Sequence, residues 1–170
     1  LGEVSFNLNV KGTQEMDGGE MECYAVGKVA SFEYNGYKYE NIDLNGLYEN
    51  RKFNGKVTLD DPNGNMAIDG LVDFSQAMPF YDFSARVREW NPNKMNLTSK
   101  YPELTMSFDI ETDVQGNDLD NVRGNVLASD IMIRNGEKVL NIDNFSIESD
   151  ISDTLSSVIV TSDYVYGVIE

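Results

Sequence analysis

"NMAIDGLVDF", residues 65–74, places Met66, Ile68, Gly70, Val72 and Phe74 on one side of an extended chain and Ala67, Asp69, Leu71 and Asp73 on the other. Successive side chains of a strand point to opposite faces, so this spacing predicts a half-buried β-strand with one apolar face. The same alternation recurs along the chain. Val4, Phe6, Leu8 and Val10 show it, as do Met21, Cys23, Ala25, Gly27 and Val29. It continues through Ile42 to Tyr48, Phe53 to Leu59, Tyr81 to Val87, Leu104 to Ile110 and Val122 to Ala128.

Two later segments change phase. Ile131 and Ile133 are out of step with Val126 and Ala128, and Phe145, Ile147 and Ile151 with Leu140 and Ile142. One-residue slips predict bulges or kinks that bend a long strand while keeping its apolar groups on one side. Short Asn, Asp and Gly clusters separate the alternating runs, with Asn35-Gly36 and Asn135-Gly136 the sharpest hairpin signals. Short turns join sequential antiparallel neighbours, which predicts a meander.

Two segments resist the strand reading: Asp73 to Tyr81, with Pro79, and Trp90 to Pro102, whose prolines frame a short helical turn at Asn93 to Leu97. Neither is long enough to cover a broad sheet. The apolar face must therefore meet another apolar strand face or an apolar ligand. Trp90 is expected to seal the end of an apolar layer or to touch a ligand.

Composition excludes several function classes. The chain carries 29 acidic and 13 basic residues, a formal charge of −16, and no histidine. That average field repels nucleic acid, whose recognition rests on clustered Lys and Arg. Without histidine, the commonest general base, the commonest metal ligand and every His-containing triad are missing. Asp60, Asp61, Asp69 and Asp73 are expected to be solvated surface, and no nucleophile elbow, P-loop or dinucleotide fingerprint occurs. Asp61, Asn63 and Asn65 begin like a calcium loop, but Met66 and Val72 stand where glycine and glutamate are needed. No enzyme activity, cofactor or metal is expected. Cys23 is the single cysteine, so no internal disulfide forms, and its spacing suits a small buried apolar group.

A family resemblance rests on "YENIDLNGLYENRKFNGKVTLDDPNGNMAIDGLVDFS", then "PFYDFSARVREWNPNKMNL", then "LDNVRGNV". This order resembles the repeated core of TamB-like translocation and assembly module proteins, related to AsmA, in their Bacteroidetes form. The matching features are the "DPNGN" hairpin running into "IDGLVDF" and the link ending in Met95 and Leu97, and the likeness covers most of residues 24 to 151. A weak internal echo, "ENIDLNGLYEN" against "DNVRGNVLAS", fits an array of similar strand units.

The resemblance implies the following. Residues 1–170 are a single β-rich segment of a longer periplasmic, repeat-like domain, with both ends continuing in a longer chain. The fold is all-β: a curved antiparallel meander forming a half-pipe or β-taco with an apolar concave face, with closure toward a sandwich as the alternative. The full-length protein is anchored in the inner membrane by an N-terminal region and reaches an outer-membrane β-barrel of the Omp85 type through a C-terminal region, in a Gram-negative periplasm. Its function is phospholipid transport between the membranes and outer-membrane protein assembly. The residues expected to line the lipid groove are Phe53, Val57, Leu59, Met66, Ile68, Val72, Phe74, Phe83, Val87, Leu104, Met106, Phe108 and Ile110. The alternative is a non-enzymatic β-sandwich binding module of the periplasm or cell surface, in which the same residues form a closed core.

Overall fold

The computed structural model describes residues 4–14, 21–117, 121–151 and 156–169. They form one 11-stranded sheet whose spatial order is the order of the chain. The strands are β1 (Val4–Gln14), β2 (Met21–Tyr34), β3 (Tyr37–Glu49), β4 (Lys52–Asp61), β5 (Gly64–Asp73), β6 (Phe80–Trp90), β7 (Leu104–Gln115), β8 (Arg123–Asn135), β9 (Lys138–Ile151), β10 (Ser156–Ser162) and β11 (Tyr166–Ile169). Every ladder is antiparallel. The predicted meander is therefore present, and Asn35-Gly36 turns with positive φ at both residues, as its sequence requires.

The half-pipe is not present. The sheet is open, and strands approach one another only where they are ladder neighbours. β1 does not meet β11, and no second layer of strands lies on either face among the described residues. This corrects both the expected β-taco with an apolar concave face and its closure toward a sandwich. Surface depressions lie instead on the polar side. One of about 650 Å³ is lined by Asn54, Asp69, Asp82, Glu111, Asp113 and Asn125 among others.

The phase slips do not roll the sheet, because two of them are matched across a ladder. Asp130 does adopt a left-handed conformation (φ 50°), as the predicted kink requires. Yet Ser129 pairs with Asn144 and Ile131 with Ile142, so β9 skips Asp143 where β8 skips Asp130. Ala30 and Asn41 (φ 55°) form the same matched pair between β2 and β3. A slip made by both strands restores register on its far side, and the sheet stays open. True one-residue shifts remain between Ser5/Phe6, Val87/Trp90 and Ser107/Asp109.

Arg88 holds the last two of these shifts together. Its guanidinium donates to the carbonyl oxygens of Val87 (2.8 Å) and Phe108 (3.0 Å), and it pairs with Asp109 at 2.5 Å. Both carbonyls belong to residues where the β6–β7 ladder loses register. A buried carbonyl without a partner costs free energy, and a planar fork of donors supplies several bonds from one side chain.

Glycine is required at Gly70, where φ is +148° and an added Cβ would lie 2.3 Å from the Asp82 carbonyl oxygen on the adjacent strand. Gly70→Ala is expected to lower the unfolding free energy by about 2–4 kcal/mol. Gly167→Ala, where a Cβ meets nothing within 4 Å, should be close to neutral. Urea denaturation of the two variants measures the contrast.

Candidate functional site: the open apolar face

Constant register turns the alternation of single strands into continuous rows. One row runs across Gly27, Leu44, Val57, Ile68, Ala85, Ile110, Ala128 and Phe145. The next runs through Val29, Ile42, Leu59, Met66, Val87 and Phe108. On the other flank Ala25, Gly46, Gly55, Gly70, Phe83, Thr112, Val126, Ile147 and Val160 align, followed by Tyr48, Phe53, Val72, Tyr81 and Val114. No charged side chain interrupts these rows. The Phe53 ring lies over Gly46 and Gly55, where added Cβ atoms would stand 2.5 Å and 3.1 Å from it, so the glycine row is filled by an aromatic neighbour.

The sequence-predicted lining residues share this face with one exception. Phe74 lies past the end of β5, where its amide donates to the Arg51 carbonyl (2.9 Å) and its ring meets Tyr81 edge-on at 6.1 Å. Leu104 and Met106 join the rows beyond the β6–β7 shift, with Met106 opposite Trp90 and Ile133. The prediction stopped at Ile110. It missed Val126, Phe145, Ile147 and Val160, although their alternation was visible, because the phase slips hid that β8 to β10 continue the same rows.

At one end of the strands the face is covered. The link from Trp90 to Pro102 folds back as a strap over β3 to β5. Asn91 begins it, its amide bonded to the Asn63 carbonyl (2.9 Å) and its side-chain oxygen accepting from the Lys94 amide (2.8 Å), as in a helix N-cap. The chain then makes a single turn, with Leu97 N–H donating to Pro92 O at 2.9 Å. That turn inserts Met95, 0% exposed, against Tyr39 and Leu59, with Phe32, Tyr37, Ile42, Met66 and Trp90 around them. Asn35 and Asn96 clasp reciprocally through side-chain amide and main-chain oxygen, tying the strap to the β2–β3 hairpin. Gly64 lets the strap lie close, since a Cβ there would stand 2.8 Å from the Trp90 Cα. Trp90 thus seals an end of the apolar layer, the structural half of its expected roles.

Beyond the strap most of the row residues are half-buried or exposed, with Val87 and Gly46 buried among their neighbours in the sheet. The opposite face carries the charge. Lys28 pairs with Asp43, and Arg86 and Arg88 both reach Asp109. Asp69, Asp82, Glu111 and Asp113 line the depression described above. Asp60 and Asp69 are solvated, as expected, but Asp61 and Asp73 are buried, 4% and 6% exposed. Both work as turn ligands. Asp61 accepts from the amides of Asn63 (2.9 Å) and Glu40 (3.2 Å) and from the Tyr37 hydroxyl, while Asp73 accepts from the Ser75 amide (2.8 Å) and pairs with Lys52 at 3.1 Å. Burial and the Asp61 bond raise the Tyr37 phenol above its ordinary pKa. Among the described residues, no group of His, Cys, Asp and Glu is arranged to hold a metal ion, and no helix is long and apolar enough to cross a membrane.

No family model matches the chain, no curated protein matches it, and no solved structure matches its fold.

Met95→Ala removes the buried plug of the strap and should cost about 2–4 kcal/mol in urea unfolding. It should also raise the hydrogen exchange of the Tyr34 to Ile42 amides, because the plug holds that end of the sheet.

Acid sensitivity follows from Asp73 and Asp109. Hydrogen bonds from Ser75 hold the Asp73 carboxyl below the usual carboxylate range, and the Arg88 hydrogen bond does the same for Asp109. A depressed carboxyl contributes stability that is present above its unfolded pKa of about 3.9 and is lost as pH falls through its folded value. Neutralising the other carboxylates relieves self-repulsion in the opposite sense, so the informative quantity is a difference between proteins. The stability gap between wild type and Asp109→Asn should be constant from pH 7 to about 5 and close progressively below about pH 4, read from urea midpoints.

Proposed function

We propose that this chain is a non-enzymatic lipid-handling segment, whose open apolar face takes the acyl chains of phospholipids while its acidic face stays in water. The observation that carries this reading is the set of continuous apolar rows on a sheet with no second layer of strands among the described residues. An apolar stripe this broad is a binding surface on physical grounds, since exposed contiguous patches mark interaction sites. The sequence resemblance to TamB-like proteins supplies the ligand class, the periplasmic setting, and the roles in lipid transport and outer-membrane assembly.

Energetics favour transfer over storage. Burying a methylene stabilises by about 0.8 kcal/mol, but a tail lying on an open sheet keeps one flank in water and gains roughly half of that. A chain of about fifteen methylenes then gains about 6 kcal/mol before the cost of ordering it. Such binding is shallow. Rows of similar side chains offer neighbouring positions of similar energy, so a tail can shift along the face without leaving it. The phospholipid head group remains toward the strand ends, away from the apolar rows.

The test is binding of a fluorescent fatty acid, with displacement by phospholipid, to the wild type and to variants at Ile68 and Ile110, which lie in one row on either side of Ala85. Ile68→Asp or Ile110→Asp should reduce affinity at least tenfold, whereas Ser84→Asp on the polar face should leave it unchanged. Circular dichroism confirms that the variants fold. Equal binding by a folded Ile110→Asp variant, or no binding by wild type, overturns the reading.

A further inference from the structure

We propose that the strap orients the lipid: over β3 to β6 an acyl chain lies along the strands with its methyl end against Met95 and Trp90, and the head group sits at the opposite strand ends. This rests on the reading of the apolar face as a lipid surface and adds a direction to it. Met95 and Trp90 are then positioning residues that decide which way round the ligand lies.

The two ends of the face differ. At the strap end Met95 is 0% exposed, Leu59 5% and Tyr39 8%, with Trp90, Ile42 and Met66 packed around them. The chain's own side chains wall off the rows there. At the other end the last row runs through Tyr48, Phe53, Val72, Tyr81 and Val114. Tyr48 is 38% exposed and Phe74, just past the end of β5, 42%. Exposed Arg51, Lys52, Ser75 and Gln76 border that end.

A charged head group pressed into the strap end would lose its hydration against Met95, Leu59 and Trp90, whereas a methyl terminus gains apolar contact there. Tyrosine suits the opposite border, since its ring joins an apolar layer while its hydroxyl takes partners in water. Length agrees with this placement. From Tyr81 to the buried Val87, β6 runs about 20 Å at roughly 3.3 Å per residue. A bilayer core of about 30 Å is two tails deep, so one tail spans about 15 Å. The stretch between the tyrosine border and the strap therefore holds one tail.

Trp90 is the single tryptophan of the chain, so its fluorescence reports the strap end directly. Stearic acid dibrominated near its methyl end and stearic acid dibrominated near its carboxyl are each titrated into wild type, bromine being a contact quencher, and displacement of a fluorescent fatty acid establishes that each is bound. The methyl-end probe should quench Trp90 severalfold more than the carboxyl-end probe. In a Trp90→Phe, Tyr81→Trp double variant, which moves the reporter to the other end of β6, the order should reverse. Bound probes that quench Trp90 equally, in the opposite order or not at all overturn the orientation and leave the lipid reading standing, as does a folded double variant in which the order fails to reverse. Absence of displacement by either probe overturns the lipid reading and the orientation with it.

Discussion

The structure depends on constant register across a sequential antiparallel ladder. In a pleated sheet a one-residue offset moves every later side chain of a strand to the other face. The rows through Ile68 and Met66 stay apolar only because their ladders, from β3 to β7, keep step over that stretch. Where a strand slips, something restores the alignment. Ala30 is matched by Asn41, and Asp130 by Asp143. At the unmatched shifts flanking Val87 and Phe108, Arg88 binds the carbonyls that the ladder leaves behind.

This arrangement distributes stability unevenly. A single sheet lacks the sheet-on-sheet or helix-on-sheet burial that stabilises most β domains. Among the described residues, a second layer lies only around Tyr39, Leu59 and Met95. That core is built from sequence-distant parts: a hairpin end, the "DPNG" turn with its buried Asp61, and the strap. The Tyr37 hydroxyl links them in a polar cluster with Asp61 and Asn63. The strap end is therefore the anchored part of the sheet, and the remaining rows rely on main-chain ladders and half-buried neighbours.

Much of the architecture was legible in period two. Strand positions, turn positions, the meander order, and the common face of residues such as Val57, Ile68 and Phe108 follow from local alternation and Asn-Gly turns, which are short-range signals. Curvature was not legible, since it depends on whether a slip in one strand is answered in the next, and that pairing is not written in either strand alone. The burial of Asp61 and Asp73 escaped for a related reason. An aspartate beside a turn looks the same in sequence whether it faces water or accepts a neighbouring amide; the sequence-distant Tyr37 and Glu40 at Asp61, and Lys52 at Asp73, make the difference. Arg88 likewise reads as one more polar-face charge until the ladder shift beside it is seen. Phe74 continues the alternation of β5 by one step, yet the strand has already ended.

Charge segregation connects these features to what the molecule can do. Carboxylates crowd one face, with Asp82 directly opposite Asp113 across a ladder, an arrangement that costs free energy between neighbouring strands. A fold selected only for stability gains nothing from it. Repulsion on that side nevertheless has a consequence for association, because two copies cannot stack through their polar faces. The apolar rows hold no charged side chain, so like-charge repulsion does not oppose contact there. The sheet thus has one charged side and one side of apolar rows, and that division follows from where a chain of −16 places its carboxylates.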